Sequence, residues 1–266
     1  MEDRWRRVCG RGRQVSARYE DLAGRTVFIS GGATGIGADL VAAFHGQGAE
    51  VFFVDIDRAA GERLCDALAA NGAPPRFTEC DVTDEAALKA ALEAAEEGGG
   101  LDVLINNAAN DTRRKLEEVD AETWRRAVDV NLRHQFVAAQ TAAPWMKARG
   151  RGVIVNFASI APEAMVPDLA VYNICKAGVR GLTRSLARDL GGFGVRVNSI
   201  LPGAILTERQ RKLWFRDQAA IDAVVARQCL PLELNGGHVA AMALFLASDA
   251  AAGCTAQDFI VDAGTI

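Results

Sequence analysis

The chain has 266 residues, with 30 Lys+Arg against 34 Asp+Glu and a net charge of −4 at pH 7. Half of its residues are apolar and about a quarter charged, a globular profile that excludes disorder. A mildly acidic chain carries no global field for nucleic acid or anionic membrane, and no apolar run approaches the roughly 18 residues of a transmembrane helix.

The first 21 residues stand apart. Arg4, Arg6, Arg7, Arg11, Arg13 and Arg18 outnumber Glu2, Asp3, Glu20 and Asp21 there, and no apolar stretch of a secretory signal develops. Residues 1–21 are therefore expected to be a flexible basic tail. From residue 25, short apolar runs alternate with helical patterns. Strands are expected at Thr26–Ser30, Glu50–Val54, Arg76–Cys80, Leu101–Ile105, Gly152–Phe157, Gly194–Ile200 and Asp258–Val261. Runs such as VFI, VFFV and VIV are continuous rather than alternating, which suits parallel strands buried on both faces. Ala-rich helical stretches lie between them at 37–47, 58–70 and 84–97, with longer ones at about 121–147 and 171–190. This rhythm predicts an α/β fold, one Rossmann-type doubly wound domain over 22–266 with seven mostly parallel strands and helices on both faces. A substrate loop is expected at about 204–230.

The first strand runs into Ser30-Gly31-Gly32-Ala33-Thr34-Gly35-Ile36-Gly37 and a helix opens at once. Glycines let the backbone turn sharply and approach a ligand, and the helix N-terminus offers N–H groups to a pyrophosphate. A P-loop is excluded, since no G-K-[ST] ending follows. The second strand ends at Asp55, 18 residues beyond Gly37. An acid there accepts hydrogen bonds from ribose hydroxyls and repels a 2′-phosphate, which favours NAD over NADP. Nearby Arg58 tempers that preference, and capping of the next helix is the plainer role for Asp55.

Tyr172 and Lys176 stand at i and i+4, on one face of a helix. An ammonium and a cationic nicotinamide favour the phenolate, which can take a proton from an alcohol while hydride leaves the same carbon. Ser159 ends a strand and can hold the carbinol oxygen. Asn131, inside the long helix, can bond a backbone carbonyl and a water; a turn and a solvated helix position are the plainer readings of these two. The six cysteines, Cys9, Cys65, Cys80, Cys175, Cys229 and Cys254, form no CxxC pair and no zinc spacing with His45, His134 or His238. They read as reduced, mostly buried thiols of a cytoplasmic protein, with no metal site.

These residues together resemble the short-chain dehydrogenase/reductase family over about residues 22–264. The family's T-G-x-x-x-G-x-G is matched by Ser30, Gly31, Gly35 and Gly37. Its D-V is matched by Asp81-Val82, and its N-N-A-G by Asn106-Asn107-Ala108-Ala109, with alanine in the last place. Its P-G-x-x-x-T is matched by Pro202, Gly203 and Thr207. The resemblance implies a cofactor site of Gly31, Thr34, Gly35, Ile36, Gly37, Asp55, Ile56, Asp81, Val82, Asn107, Ala108, Ala109, Pro202, Gly203, Ile205 and Thr207, with Tyr172 and Lys176. It also implies Tyr172 as general acid/base and Lys176 as the residue that lowers its pKa and binds nicotinamide ribose. Ser159 then positions the reacting oxygen, Asn131 anchors a relay water, and the assembly is a homotetramer or homodimer.

The stretches Asn110-Asp111-Thr112-Arg113, Asn131-Leu132-Arg133-His134 and Thr207-Glu208-Arg209-Gln210 look like those of the family's aldose 1-dehydrogenases, which act on D-xylose, L-arabinose or D-galactose. That likeness suggests NAD-dependent oxidation of a sugar at C1, with Asn110, Ser159, Glu163 and Arg209 contacting hydroxyls. Turn formation by Asn110 and Asp111, and a salt bridge by Arg209, are the plainer readings. Ala161 to Met165 departs from the bulky aromatic expected in that group, which leaves another secondary alcohol or ketone, or an oxoacyl thioester, as the alternative. A non-catalytic NAD-binding module and a nucleic-acid-binding tail are weaker rivals. His134 is expected to pack or cap, and Trp124, Trp145 and Trp214 to serve as core or rim.

Overall fold

Strands made of continuous β-branched and aromatic residues need cover on both sides, and the computed structural model, which describes residues 17–266, provides it. Seven parallel strands run β1 (Thr26–Ser30), β2 (Glu50–Asp55), β3 (Arg76–Glu79), β4 (Leu101–Asn106), β5 (Gly152–Phe157), β6 (Val195–Pro202) and β7 (Asp258–Val261). They pair in the order β3-β2-β1-β4-β5-β6-β7. Every residue of β1, β4 and β5 is buried.

Alternate strand residues feed two cores. Val27 and Ile29 face α1 (Gly35–Gly46) and α9 (Gly236–Ala247), where Leu40, Phe44, Val239 and Leu244 pack. Phe28, Leu104 and Ile154 face the other way, onto Leu88 and Leu92 of α3 (Glu85–Gly99) and Val137 and Met146 of α5 (His134–Arg149). The remaining helices are α2 (Arg58–Leu68), α4 (Ala121–Val128), α6 (Ala170–Leu190), α7 (Glu208–Leu213) and α8 (Gln218–Val225). No helix among the described residues is long and apolar enough to cross a membrane. The strand order reverses between β1 and β4, and at such a switch point a crevice opens at the carboxyl ends of the strands.

Several boundaries differ from expectation. The strands β2 and β6 run on to Asp55 and Pro202, which carries both side chains to the carboxyl edge of the sheet. The long helix at 121–147 is interrupted by a π turn at Asp129–Arg133. There the Asn131 amide donates to the Ala127 carbonyl (3.0 Å), a side-chain bond that competes with the helical ladder. Of the expected tail, residues 1–16 lie outside the described residues. Residues 17–21 are tied to the domain: the Tyr19 N–H donates to Gln47 Oε1 (2.8 Å), Gln47 Nε2 donates to the Ala17 carbonyl (3.1 Å), and Arg25 grips Asp21 and Asp249.

One side chain stitches the two strands that flank the crevice. Ser30, fully buried at the end of β1, accepts the N–H groups of Asn107 and Ala108 just past β4, each at 3.1 Å. Ser30→Ala leaves two backbone donors without their acceptor. It should lower stability by about 1–3 kcal/mol, read as a drop in melting temperature by thermal denaturation, with the far-ultraviolet spectrum unchanged.

Candidate active site

The crevice is a cleft of about 1220 Å³ running along the carboxyl edge of the sheet. At one end lies the glycine turn. Gly31 has φ +67°, and a Cβ there would sit 2.8 Å from Ala108 Cα; a Cβ on Gly37 would sit 1.8 Å from the Gly31 carbonyl oxygen. Only glycine lets α1 start this close to the turn. The Asn107 amide holds the turn from the other side, donating to the carbonyls of Ser30 (3.1 Å) and Gly31 (2.8 Å). The first N–H groups of α1 have no helical partners of their own and form a ready anion seat.

Asp55 ends β2 on the same cleft. Its carboxylate accepts the Ala33 N–H (2.9 Å) and the Asp57 N–H (3.1 Å), which fixes it beside the turn. It does not cap α2, because Asp57 does, accepting the Ala60 N–H at 2.9 Å. Arg58 turns away onto Glu62 (3.0 Å) and Glu79 (3.7 Å). Asp81 is bound to the Thr83 N–H and hydroxyl and meets Arg126 at 3.4 Å. Those bonds outweigh the effect of burial and hold its carboxyl below the usual range. Ile56, Val82, Ala108, Ala109, Pro202, Gly203, Ile205 and Thr207 also line the cleft. The residues fit a dinucleotide: a Cβ-free cradle, an acid at the tip of the second strand, and room for an extended ligand.

At the other end α6 presents Tyr172 and Lys176 one turn apart. Lys176 is 1 % exposed. Its ammonium lies 5.5 Å from the Tyr172 ring centre and donates to the Phe157 carbonyl at 2.7 Å. Burial lowers its pKa to about 8. Gln135 donates to the same carbonyl at 3.3 Å. His134 is buried next to them, and burial together with the Lys176 charge drives its pKa down to about 3, so the ring is neutral. Burial pushes the Tyr172 phenol above its ordinary range and the Asp111 carboxylate adds to this, while the Ser159 hydroxyl and Arg209 pull it back. Ser159 lines the cleft beside it and accepts the Ala161 N–H at 3.0 Å.

Two sequence-predicted residues do not line the cleft. Asn131 is fully buried in the π turn, where its amide takes both backbone groups of Asn110, accepting the N–H at 2.9 Å and donating to the carbonyl at 3.0 Å. Its side chain supports the loop after β4, and no capacity on Nδ2 remains for a water. Glu163 pairs with Arg180, which also holds Asp258, and so is turned out of the cleft. Asn110 and Arg209 do line it, yet Asn110 Oδ1 is engaged by the Thr112 N–H and hydroxyl, and Arg209 by Asp111. Sequence reasoning missed Gln135, named Arg113 and Gln210 only as members of their stretches, and placed Trp214 in core or rim. Arg113 stacks 4.1 Å over the Trp214 ring at the cleft wall. No spacing links these residues in the sequence. Cys80 and Cys175 are buried, whereas Cys229 is exposed.

A family model described as enoyl-(acyl carrier protein) reductase matches residues 31–265. Over 251 residues the chain is 46 % identical to a protein of Rhizobium meliloti named "Probable galactose dehydrogenase", covering 94 % of this chain and 98 % of that protein. It is 44 % identical over 249 residues to a D-xylose 1-dehydrogenase of Caulobacter vibrioides, with the same coverage. Among solved structures, a 7α-hydroxysteroid dehydrogenase complexed with NADH and a 7-oxo bile acid superposes with a TM-score of 0.87 at 30 % identity, over 92 % of this chain and 96 % of that one.

Asn131→Ala removes three hydrogen bonds from a buried position. It should cost about 1–3 kcal/mol, and amide exchange at Asn110 should quicken while exchange in β4 stays slow; unaltered protection at Asn110 would contradict the bracing role.

Proposed function

This chain belongs to the short-chain dehydrogenase/reductase family, and we propose that it oxidises an aldose at C1 to the lactone with NAD as hydride acceptor. The observation that carries the reading is the placement of Tyr172, Lys176 and Ser159 at one end of a cleft whose other end has the glycine turn and Asp55. The substrate class draws support from the polar wall of Asn110, Asp111, Arg209 and Gln210, and from the two sugar dehydrogenases to which the chain is similar.

Gly31, Gly37 and the start of α1 would hold the pyrophosphate, and Asp55 the adenosine ribose. Lys176 and the 202–207 segment would hold the nicotinamide half. When bound, the nicotinamide supplies a carbon that takes up hydride. Ser159 holds the C1 oxygen, and Tyr172 as phenolate takes the hydroxyl proton as the C1 hydrogen leaves with its electron pair, so the carbinol becomes a lactone carbonyl. Because burial and Asp111 oppose the phenolate, ionisation depends on positive charge beside Tyr172, where Arg209 already favours the phenolate and the Lys176 ammonium lies 5.5 Å from the ring centre.

Asp55 supports NAD over NADP, since a carboxylate fixed by two N–H groups repels a 2′-phosphate. The exposed apolar faces of Trp124, Phe136 and Ile174 on α4, α5 and α6 support assembly as a homodimer or homotetramer. Free thiols fit a reducing cytoplasm. A second reading, oxidation of a simpler secondary alcohol, is supported by Met165 and Val166 on the substrate side of the cleft, where the wall is apolar.

Absorbance of the reduced cofactor on a panel of pentoses, hexoses and secondary alcohols separates the two; absence of turnover on every sugar refutes the aldose reading. Tyr172→Phe should lower kcat by about 10²–10⁴-fold with NAD binding retained. In the wild type the oxidation rate should rise with pH, because the phenol must first lose its proton. Asp55→Ser should narrow the NAD/NADP ratio of kcat/KM by roughly tenfold or more, the loss of one repulsive charge.

A further inference from the structure

The mouth of the cleft is crossed by a contact that hydride transfer does not use. Asp111, on the loop after β4, reaches to the lid helix α7, where Arg209 pairs with one carboxylate oxygen and Gln210 Nε2 donates to the other at 2.5 Å. Two residues on, Arg113 covers Trp214 just past the end of α7. One loop thus grips both ends of one lid helix. The loop is braced from below by Asn131, and the base of the lid by Thr207, which caps α7 and lies against Gly35 of the phosphate turn.

Folding does not need this clasp. The Asp111 and Arg209 side chains are 22 % and 48 % exposed, and ion pairs this wet contribute little to stability. A carboxylate has about four lone-pair sites. The lid engages one on each oxygen, which leaves acceptor capacity on a residue that lines the cleft. The same carboxylate acts on both Tyr172 and Lys176, so it lies within Coulombic reach of the reacting centre.

Resting on the aldose reading above, we propose that Asp111 determines specificity: it accepts a hydrogen bond from the hydroxyl beside the reacting carbon, the C2 hydroxyl of an aldose. Arg209 and Gln210 hold the other edge of the carboxylate, so that hydroxyl recognition and the placement of α7 act on one side chain. A hydrogen bond to an ionised acceptor is among the stronger ones available in water. A substrate without that hydroxyl displaces water from the carboxylate and offers no donor in return, which is how a polar site rejects a deoxy analogue.

Steady-state kinetics with NAD on D-galactose, 2-deoxy-D-galactose, D-xylose and cyclohexanol test this in the wild type, D111N and R209Q. The wild type should prefer galactose to its 2-deoxy analogue by roughly 10²-fold in kcat/KM. D111N should collapse that ratio to below about fivefold, chiefly through a raised KM for galactose, and R209Q should reduce it less. D111N should also move the acid limb of the pH profile to lower pH. It removes the anion facing Tyr172 and leaves Lys176, Arg209, Cys175 and the Ser159 hydroxyl in place. A ratio unchanged in D111N overturns the proposal. So does loss of NAD binding in both D111N and D111A, which would make Asp111 a scaffold residue. A wild type that oxidises cyclohexanol and neither sugar overturns the aldose reading itself, and this assignment with it.

Discussion

A lysine withdrawn from water must give its ammonium a partner or lose its proton, and much of the site follows from how this chain meets that demand for Lys176. The partner is the Phe157 carbonyl at the end of β5, 2.7 Å away. That carbonyl is shared with Gln135 (3.3 Å), whose amide also approaches the Asn131 carbonyl at 3.5 Å. Asn131 in turn clamps the Asn110 backbone, and the next residue, Asp111, meets the lid. A continuous line of polar contacts thus leads from the buried ammonium to the mouth of the cleft. Its bonds come from α6, β5, α5, the π turn, the β4 loop and α7, so the six segments take their positions from one another.

The electrostatics around Tyr172 are a balance of near neighbours. Burial and Asp111 oppose the phenolate; the Ser159 hydroxyl and Arg209 favour it. A neutral His134 belongs to the same balance, because a second buried cation next to Lys176 would weaken the charge that the site keeps. The fold thereby holds a buried phenol whose protonation is set by several neighbours at once.

What the sequence reveals divides along physical lines. Two-sided burial is written locally, in runs such as VFI and VIV, so the central strands and the doubly wound architecture are legible within a residue or two. The glycine turn, Asp55, Tyr172 and Lys176 were legible for a related reason: each is fixed by spacing along one element or one turn. The π turn was not, since it arises when the Asn131 side chain takes a carbonyl four residues back, and the helical period continues on either side. Nor was the fate of Glu163, which finds Arg180 and leaves the cleft. The Asp111–Arg209 pair spans 98 residues. Contacts between loops carry no period, so composition names the candidates there and only the fold decides which of them meet.

That division bears on why substrate is harder to read than chemistry in such a chain. The scaffold residues are over-determined: Gly37 cannot accept a Cβ, and Ser30 holds two backbone donors at once. The loop after β4 and α7 are joined by one part-exposed ion pair, one side-chain hydrogen bond and one cation–π contact, each worth little to folding. Residues on this wall can change with small effect on the two cores beneath them. The hydroxyl pattern that the site accepts is therefore set where folding constrains the sequence least, in side chains whose partners come from the far side of the cleft.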